Sequence, residues 1–317
     1  MSKFDLCESV AWLQQSPIYR QLPQRLAVAW SGGIDSTLLL LTLKEAGFTV
    51  FAWHVDHAWH GASAENAKAL ELLADAWAIP FVKVRLSSPS ANNREANARS
   101  GRYQAFVSLA KSEGVDALCL GHHANDQAES VCMRMLQASG VKGLQGMHSV
   151  RAQQGLSLYR PWLHVPRQAI ERVLHLNQIP YIDDPSNEDV RLWRNHIRKS
   201  LFPAMFAEGV DPLALFQRWQ LQAVRVGGVV SDLVEQVNVE SIDPHQCAVL
   251  WKDWNRVTAT VRIYLLQTMF TTLLGEGVVP GRRHLLDVES WTQRGGLGGL
   301  DLSRCRLQRK QKRVVLL

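Results

Sequence analysis

The 317-residue sequence predicts an α/β fold: a doubly wound parallel sheet, followed by a second, smaller and mostly helical domain. Apolar runs of strand length alternate with amphipathic stretches through the first two thirds of the chain, the pattern of successive βα units. The first run, RLAVAW, passes through a Gly-Gly turn directly into an apolar helix. Beyond about residue 200 the alternation stops and helical periodicity takes over.

RLAVAW at 25–30 reads as a strand, with its helix over Thr37 to Ala46. TVFAWHVDH is the second strand, ASAENAKALELLADAWA its amphipathic helix and FVKVRL the third strand. NREANARSGRYQAFVSLAKSEG is helical, with Gly101 its weak point; VDALCLGHH gives a fourth strand and NDQAESVCMRML the next helix. In a doubly wound sheet, ligands collect beyond the carboxyl ends of the strands, where the turn after RLAVAW, HVDH and GHH all fall. The catalytic domain is placed at 1–205. Residues 206–317 form the second domain, built from DPLALFQRWQLQAVRVGGVVSDLVEQV, ATVRIYLLQTMFTTLLGEG and GRRHLLDVESWTQ. It ends in GLDLSRCRLQRKQKRVVLL, a hairpin of short strands.

Composition narrows the class. At 46% hydrophobic and 20% charged the chain can bury a core, and a formal charge of +6 suggests an acidic partner such as nucleic acid. The first residues lack the apolar h-region of a signal peptide, and no run approaches the roughly 18 apolar residues of a membrane span. A cytoplasmic protein with no membrane partner is expected. The five cysteines, Cys7, Cys119, Cys132, Cys247 and Cys305, are scattered and never spaced C-x-x-C, which argues against a disulfide framework, a zinc knuckle or a redox pair.

The chemistry starts at SGGIDST, residues 31–37. A strand, a glycine turn and a helix start aim backbone N–H groups and a helix dipole at an anion. The lysine of a Walker A loop is absent, and Asp35 stands where a bare anion would be repelled. Mg²⁺ bridging Asp35 to a nucleotide polyphosphate resolves the conflict, because Mg²⁺ takes one or two carboxylates together with phosphate oxygens. An ordinary βα turn capped by Ser31, Asp35 or Ser36 accounts for the Gly-Gly pair equally well. In GHHANDQAES, Asp126 and Glu129 are i, i+3 and share a helix face beside His122 and His123; acids there complement the dipole even without a ligand. Glu95, Arg99 and Arg102 share a helix face, as do Arg194 and Arg198. A surface ion pair, worth about 0.5 kcal/mol, explains the first set without function.

SGGIDS resembles the PP-loop of the N-type ATP pyrophosphatases. HVDH (54–57), REANARSGRY (94–103), GHHANDQAES (121–130), GVKGLQGM (140–147), YRP (159–161), YIDDPSNED (181–189) and RNHIR (194–198) together resemble the tRNA(Ile)-lysidine synthetases over roughly residues 25–205. The second domain is similar to that family's first C-terminal domain. The resemblance implies an adenine nucleotide alpha hydrolase-like domain and ATP as co-substrate, with Mg²⁺ on Asp35. It implies ligation of L-lysine to C2 of the wobble cytidine of tRNA(Ile) with a CAU anticodon, through an adenylated intermediate. It admits a homodimer. By the same resemblance Asp35, His122, Asp126 and Glu129 are catalytic. Ser31, Gly32, Gly33, Ile34, Asp35, Ser36, Val55, His57 and Arg99 bind ATP, with Asp56 beside them. Asp126 and Glu129 cradle lysine, His122 or His123 assists its deprotonation, and Arg102, Arg194 and Arg198 contact tRNA. Asp183, Asp184 and Asn187 resemble a turn shaped by Pro185.

Three features depart from the family pattern. Trp30 replaces a smaller residue and is expected to crowd the pocket. LQASG at 136–140 lacks a basic contact, and the chain ends after what resembles the first C-terminal domain. The basic run RCRLQRKQKR is a solvated strand face or a tRNA backbone contact. Rival readings are a tRNA 2-thiolation enzyme, which needs reactive cysteines; an amidotransferase synthetase, which needs an ammonia source; an NAD synthetase; and a non-catalytic nucleotide- or tRNA-binding module.

Overall fold

A computed structural model describes residues 4–56, 63–86, 94–182, 193–275, 278, 280–302 and 304–317, leaving out the side chains of 63, 64, 94–99 and 282. The chain divides into two compact units, Met1–Gln220 and Leu221–Leu317.

In the first unit α1 (Cys7–Gln15) precedes β1 (Arg25–Ala29), α2 (Ile34–Glu45), β2 (Thr49–Asp56), α3 (Ser63–Ala76), β3 (Phe81–Arg85), α4 (Arg94–Glu113), β4 (Ala117–Cys119) and α5 (Ala124–Leu136). Then come the short α6 (Val141–Leu144), β5 (Val150–Gln153), β6 (Leu156–Tyr159), α7 (Arg167–Leu176), α8 (Trp193–His196), a π-helical turn over Ile197–Leu201 and α9 (Phe202–Ala207). The sheet order is β3-β2-β1-β4-β6-β5, with β1, β2, β3, β4 and β6 parallel and β5 alone antiparallel. The chain runs outward from β1 to β3 and then returns to the other side of β1. The order therefore reverses between β1 and β4, and a crevice opens at their carboxyl ends.

Alternation along the strands builds two cores. Leu26 and Val28 of β1 face a cluster with α1, α2, α3 and α7, whereas Ala27 faces the opposite cluster with Tyr103, Phe106 and Leu109 of α4. Every residue of α2 from Ser36 to Leu43 is buried, so this helix is apolar all round rather than amphipathic. A further cluster joins Ala128, Val131 and Cys132 of α5 to Ile197, Phe202 and Phe216. It seats the π-helical turn against α5.

α10 (Pro212–Glu235) contains the division between the units. The second unit adds β7 (Glu240–Asp243), β8 (Gln246–Leu250), α11 (Trp251–Arg256), α12 (Ala259–Leu274), α13 (Arg282–Gln293), β9 (Gly299–Leu302), β10 (Cys305–Lys310) and β11 (Arg313–Leu316). The sequence anticipates these helices and the terminal hairpin. It does not anticipate that β7 and β8 extend the hairpin into an antiparallel sheet of order β7-β8-β11-β10-β9. The core of this unit packs Val261, Leu265, Met269 and Phe270 of α12 against Cys247, Leu307 and Val314 of the sheet. Within the basic run, Arg306 pairs with Asp301, Arg313 pairs with Glu240, and Arg309 lies 4.3 Å over the Trp251 ring, while Lys310 and Lys312 are exposed. No described helix is long and apolar enough to cross a membrane.

Candidate functional site

The turn between β1 and α2 is locked from below and open above. Gly32 has φ +89°, and a Cβ there would meet Leu70 Cδ2 at 2.9 Å, so glycine is required twice over. Its carbonyl accepts from Ile182 N at 2.8 Å and from Thr37 Oγ1 at 3.0 Å, and Trp30 Nε1 donates to Thr37 Oγ1 at 2.9 Å. Ser31 and Ser36 tie the two ends of the turn together, with their hydroxyl oxygens 3.0 Å apart. Gly33 is the N-cap of α2 and supplies no side-chain acceptor, which leaves the helix dipole and its first amides uncapped by protein. Trp30 does not crowd this turn. It is fully buried in the core beneath, edge-on to Phe81 and tilted against Trp77, because the strand's alternation turns it away from the loop.

The extension of β4 crosses directly over α2. A Cβ on Gly121 would stand 3.1 Å from the carbonyl carbon of Asp35 and from the amide of Ser36, so a side chain here would press the two backbones apart. The contact brings GHH onto Asp35. His123 is the N-cap of α5: Nδ1 accepts from Asp126 N at 3.3 Å, and Asp126 Oδ2 accepts from His123 N at 3.1 Å, a reciprocal capping box. Because Nδ1 accepts, the ring proton of neutral His123 sits on Nε2. That nitrogen faces Asp35 Oδ1 at 3.6 Å and Asp126 Oδ2 at 3.4 Å.

The two aspartates around this imidazole are tuned apart. Burial pushes the Asp35 carboxyl above the usual carboxylate range, a rise only partly offset by His123, Arg167 and Arg198, while Asp126 adds to it. Burial would raise Asp126 as well, but His123, Arg194, His122 and the His123 amide together hold it below its ordinary value. Asp35 Oδ1 is buried and has no hydrogen-bond partner among the described residues. An orphaned carboxylate oxygen beside uncapped helix amides suits a cation carried in on a polyphosphate, so the donor set fits Mg²⁺.

Glu129 is finished differently. It is 1% exposed, and both its oxygens are occupied: Arg194 Nε donates to Oε2 at 2.9 Å, Arg198 Nε to Oε1 at 2.7 Å and Arg198 Nη2 to Oε2 at 3.0 Å. Arg194 also donates to Ser130 Oγ, and Arg198 Nη2 lies 3.4 Å from Asp126 Oδ1. Asp126 and Glu129 do share one face of α5, as their spacing requires. Glu129, however, is closed by arginines, and Arg194 and Arg198, expected toward tRNA, point inward to it. His122 is similarly committed, since its Nδ1 accepts from Arg160 Nε at 3.1 Å. A neutral imidazole has one acceptor nitrogen, so in this arrangement neither histidine has one left to take a proton.

The remaining expected residues are more dispersed. Val55 and Asp56 close β2 and are buried, with Arg85 Nε 3.8 Å from Asp56. Arg102 is partly exposed on α4. The side chains of Glu95 and Arg99, and residues His57, Asp183, Asp184, Pro185 and Asn187, lie outside the described residues. Nothing in the sequence around YRP points to a role for Arg160. This arginine is 4% exposed and ties His122 to the carbonyl of His148 at 2.8 Å. Gln127 was also missed: its amide accepts from Met147 N at 2.7 Å and donates to Met147 O at 3.0 Å, pinning the GVKGLQGM loop to α5.

Comparison with known proteins identifies the family of the chain. A family model for the PP-loop domain matches residues 9–205. A tRNA(Ile)-lysidine synthase of Chlamydia pneumoniae is 38% identical over 57% of this chain and 57% of its own length, so the chain spans little more than half of that relative. The tRNA(Ile)-lysidine synthase of Bordetella bronchiseptica is 32% identical over 76% of this chain and 73% of its own length. Among solved structures, a U34-tRNA thiolase from Methanococcus maripaludis, containing a [4Fe-4S] cluster, superposes with a TM-score of 0.58 at 16% identity, covering 69% of this chain and 78% of the other. At that identity the likeness concerns the fold alone. From the PP-loop match over residues 9–205 and the extent of the Bordetella alignment, the chain belongs to the PP-loop family and, within it, to the tRNA(Ile)-lysidine synthases.

Proposed function

We propose that the protein is an ATP-dependent ligase that joins L-lysine to C2 of the wobble cytidine in the CAU anticodon of tRNA(Ile), in the cytoplasm. The observation that carries this reading is the orphaned Asp35 Oδ1 beside the uncapped N-terminus of α2, set in a chain of this family. The C2 carbonyl of cytidine is urea-like and a poor electrophile. Its oxygen attacks the α-phosphorus of ATP, the α–β bond breaks and pyrophosphate leaves. The ε-ammonium of lysine first gives one proton to solvent; the amine then forms a bond to C2, the C2–O bond breaks with AMP as leaving group, and the nitrogen gives a second proton to solvent.

Ser31, Gly32, Gly33, Ile34 and Ser36 present the loop and first helical amides to the phosphates. Asp35 would hold Mg²⁺, which would supply positive charge against the departing pyrophosphate. His123, and His122 fixed by Arg160, offer Nε2–H groups as donors. Asp126, kept ionised by its neighbours, is the carboxylate that meets the lysine ammonium, with Glu129 behind it. Val55, His57 and Arg99 complete the nucleotide pocket. Arg102 and the basic strands of residues 206–317 hold tRNA phosphates. Incubating the protein with ATP, Mg²⁺, labelled lysine and a tRNA(Ile) transcript bearing CAU tests the reading: label enters the tRNA with pyrophosphate release, and absence of lysine transfer refutes it.

Sulfur transfer is disfavoured by a specific observation. Cys119 lies in the middle of β4, fully buried, and burial pushes its thiol far above the ordinary range, which makes it inert as a nucleophile.

A further inference from the structure

The closed state of Glu129 conflicts with its use as an amine ligand. Both Glu129 oxygens already accept from guanidinium groups, with the Asp126 carboxylate 3.4 Å from Arg198, so the acid has no face turned to an ammonium ion, whereas the guanidinium groups match phosphate. The carboxylate is sealed at 1% exposure, whereas the Arg194 and Arg198 side chains are 37% and 28% exposed, so solvent and a phosphate reach the arginines and not the acid. Arg198 sits in the π-helical turn Ile197–Leu201, a local widening of the helix that relaxes its hydrogen-bond ladder. Arg198 is also electrostatically coupled to Asp35, so it lies within the field of the β1–α2 turn. The orphaned Asp35 Oδ1 marks that turn independently as incomplete without a ligand.

We propose that Arg194, Arg198 and Glu129 form a binding-order device: a magnesium nucleotide at the β1–α2 turn draws the guanidinium groups onto its phosphates, and only then does Glu129 open to the amine substrate. The inference rests on the ligase reading above and adds an order to it. Once the two guanidinium groups leave, Glu129 keeps no other hydrogen-bond partner among the described residues, and the incoming ammonium takes their place. The device keeps Glu129 closed to lysine, leaving Asp126 as its sole carboxylate contact, until the nucleotide that activates the cytidine is in place. By linkage, lysine must tighten nucleotide binding by the factor by which nucleotide tightens lysine.

Calorimetry on the full chain tests this, with lysine titrated in the presence and absence of Mg²⁺ and α,β-methylene-ATP, whose α–β linkage cannot be cleaved. The expected result is lysine binding at least tenfold tighter with the analogue, and the same factor when the order of titration is reversed. In Arg194→Gln, where Arg198 still pairs Glu129, lysine binding without nucleotide is expected to strengthen and the coupling factor to shrink. Should that variant fail to fold, the wild-type titrations decide alone. Equal lysine affinity with and without nucleotide overturns the device and leaves the ligase reading intact if labelled lysine still enters the tRNA. No lysine binding under either condition, together with no transfer, overturns both.

Discussion

The two helices that meet at the crevice, α2 and α5, each begin with an acid in the first turn, and they are finished in opposite ways. At α2 the N-cap is a glycine without a side chain, and Asp35 keeps an oxygen with no partner. At α5 the start is closed on itself by the His123–Asp126 capping box, and one turn later Glu129 holds three hydrogen bonds from two arginines. The contrast separates a binding edge from a platform. The first helix leaves polar groups unmet where the proposed nucleotide would sit, and the second meets its own needs and holds His123 against Asp35. Gly121 favours the pairing, because a Cβ there would press to 3.1 Å from the α2 backbone and push the two backbones apart.

The largest effect that sharpens this comparison is kinetic. Asp35→Asn should reduce tRNA-dependent pyrophosphate release by about 100-fold or more, the scale on which removing one preorganised electrostatic group acts, while its melting temperature does not fall. A variant as active as wild type would place the metal elsewhere. At the other helix the expected effect is on stability. Glu129→Gln strands two guanidinium groups facing each other and should cost about 3 kcal/mol, near the low end for breaking a buried pair because the arginines are partly exposed. That corresponds to a fall of about 9 °C in melting temperature for a unit of this size. An unchanged melting temperature would make Glu129 as uncommitted as Asp35 and erase the contrast.

The smallest effect is in the pH dependence, where the two aspartates should act with opposite sign. Asp35 has its carboxyl raised in the fold, so its contribution to stability is present below the ordinary carboxylate range and lost as pH rises through its folded value. Asp35→Asn should therefore be more stable than wild type near neutral pH, and the gain should vanish in acid. Asp126 is lowered, so its contribution is present above the ordinary range and lost as pH falls through its folded value. Asp126→Asn should be less stable near neutral pH, with the deficit shrinking in acid. Melts of both variants across pH would show the crossing pair of trends, and parallel trends would contradict the tuning.

Much of the first unit is legible in the sequence because its signals are local. β1, its glycine turn, α2 and the next three strands each follow from periodicity and turn chemistry within a dozen residues. The β5–β6 hairpin is not legible in the same way. Its strands are four residues each, their turn is Gln154-Gly155, and β6 joins the parallel sheet only through pairing with distant β4. The site divides along the same line. Asp35, Asp126 and Glu129 stand out by position on their helices, whereas the partners of Glu129 are 65 and 69 residues away and Arg160 meets His122 across 38. The i, i+4 spacing of Arg194 and Arg198 shows that they share a face but not which acid they face. Trp30 carried a misleading signal, because replacement of a small residue suggests crowding until the strand register shows the ring turned into the core.

The role proposed for Asp35 is to hold a metal carried on a polyphosphate through the oxygen that has no hydrogen-bond partner among the described residues. Titration of α,β-methylene-ATP into wild type and Asp35→Asn, each across a range of Mg²⁺ concentration, tests it most directly. Nucleotide affinity should rise with Mg²⁺ in the wild type and lose that dependence in the variant; an identical Mg²⁺ dependence in both would contradict the account.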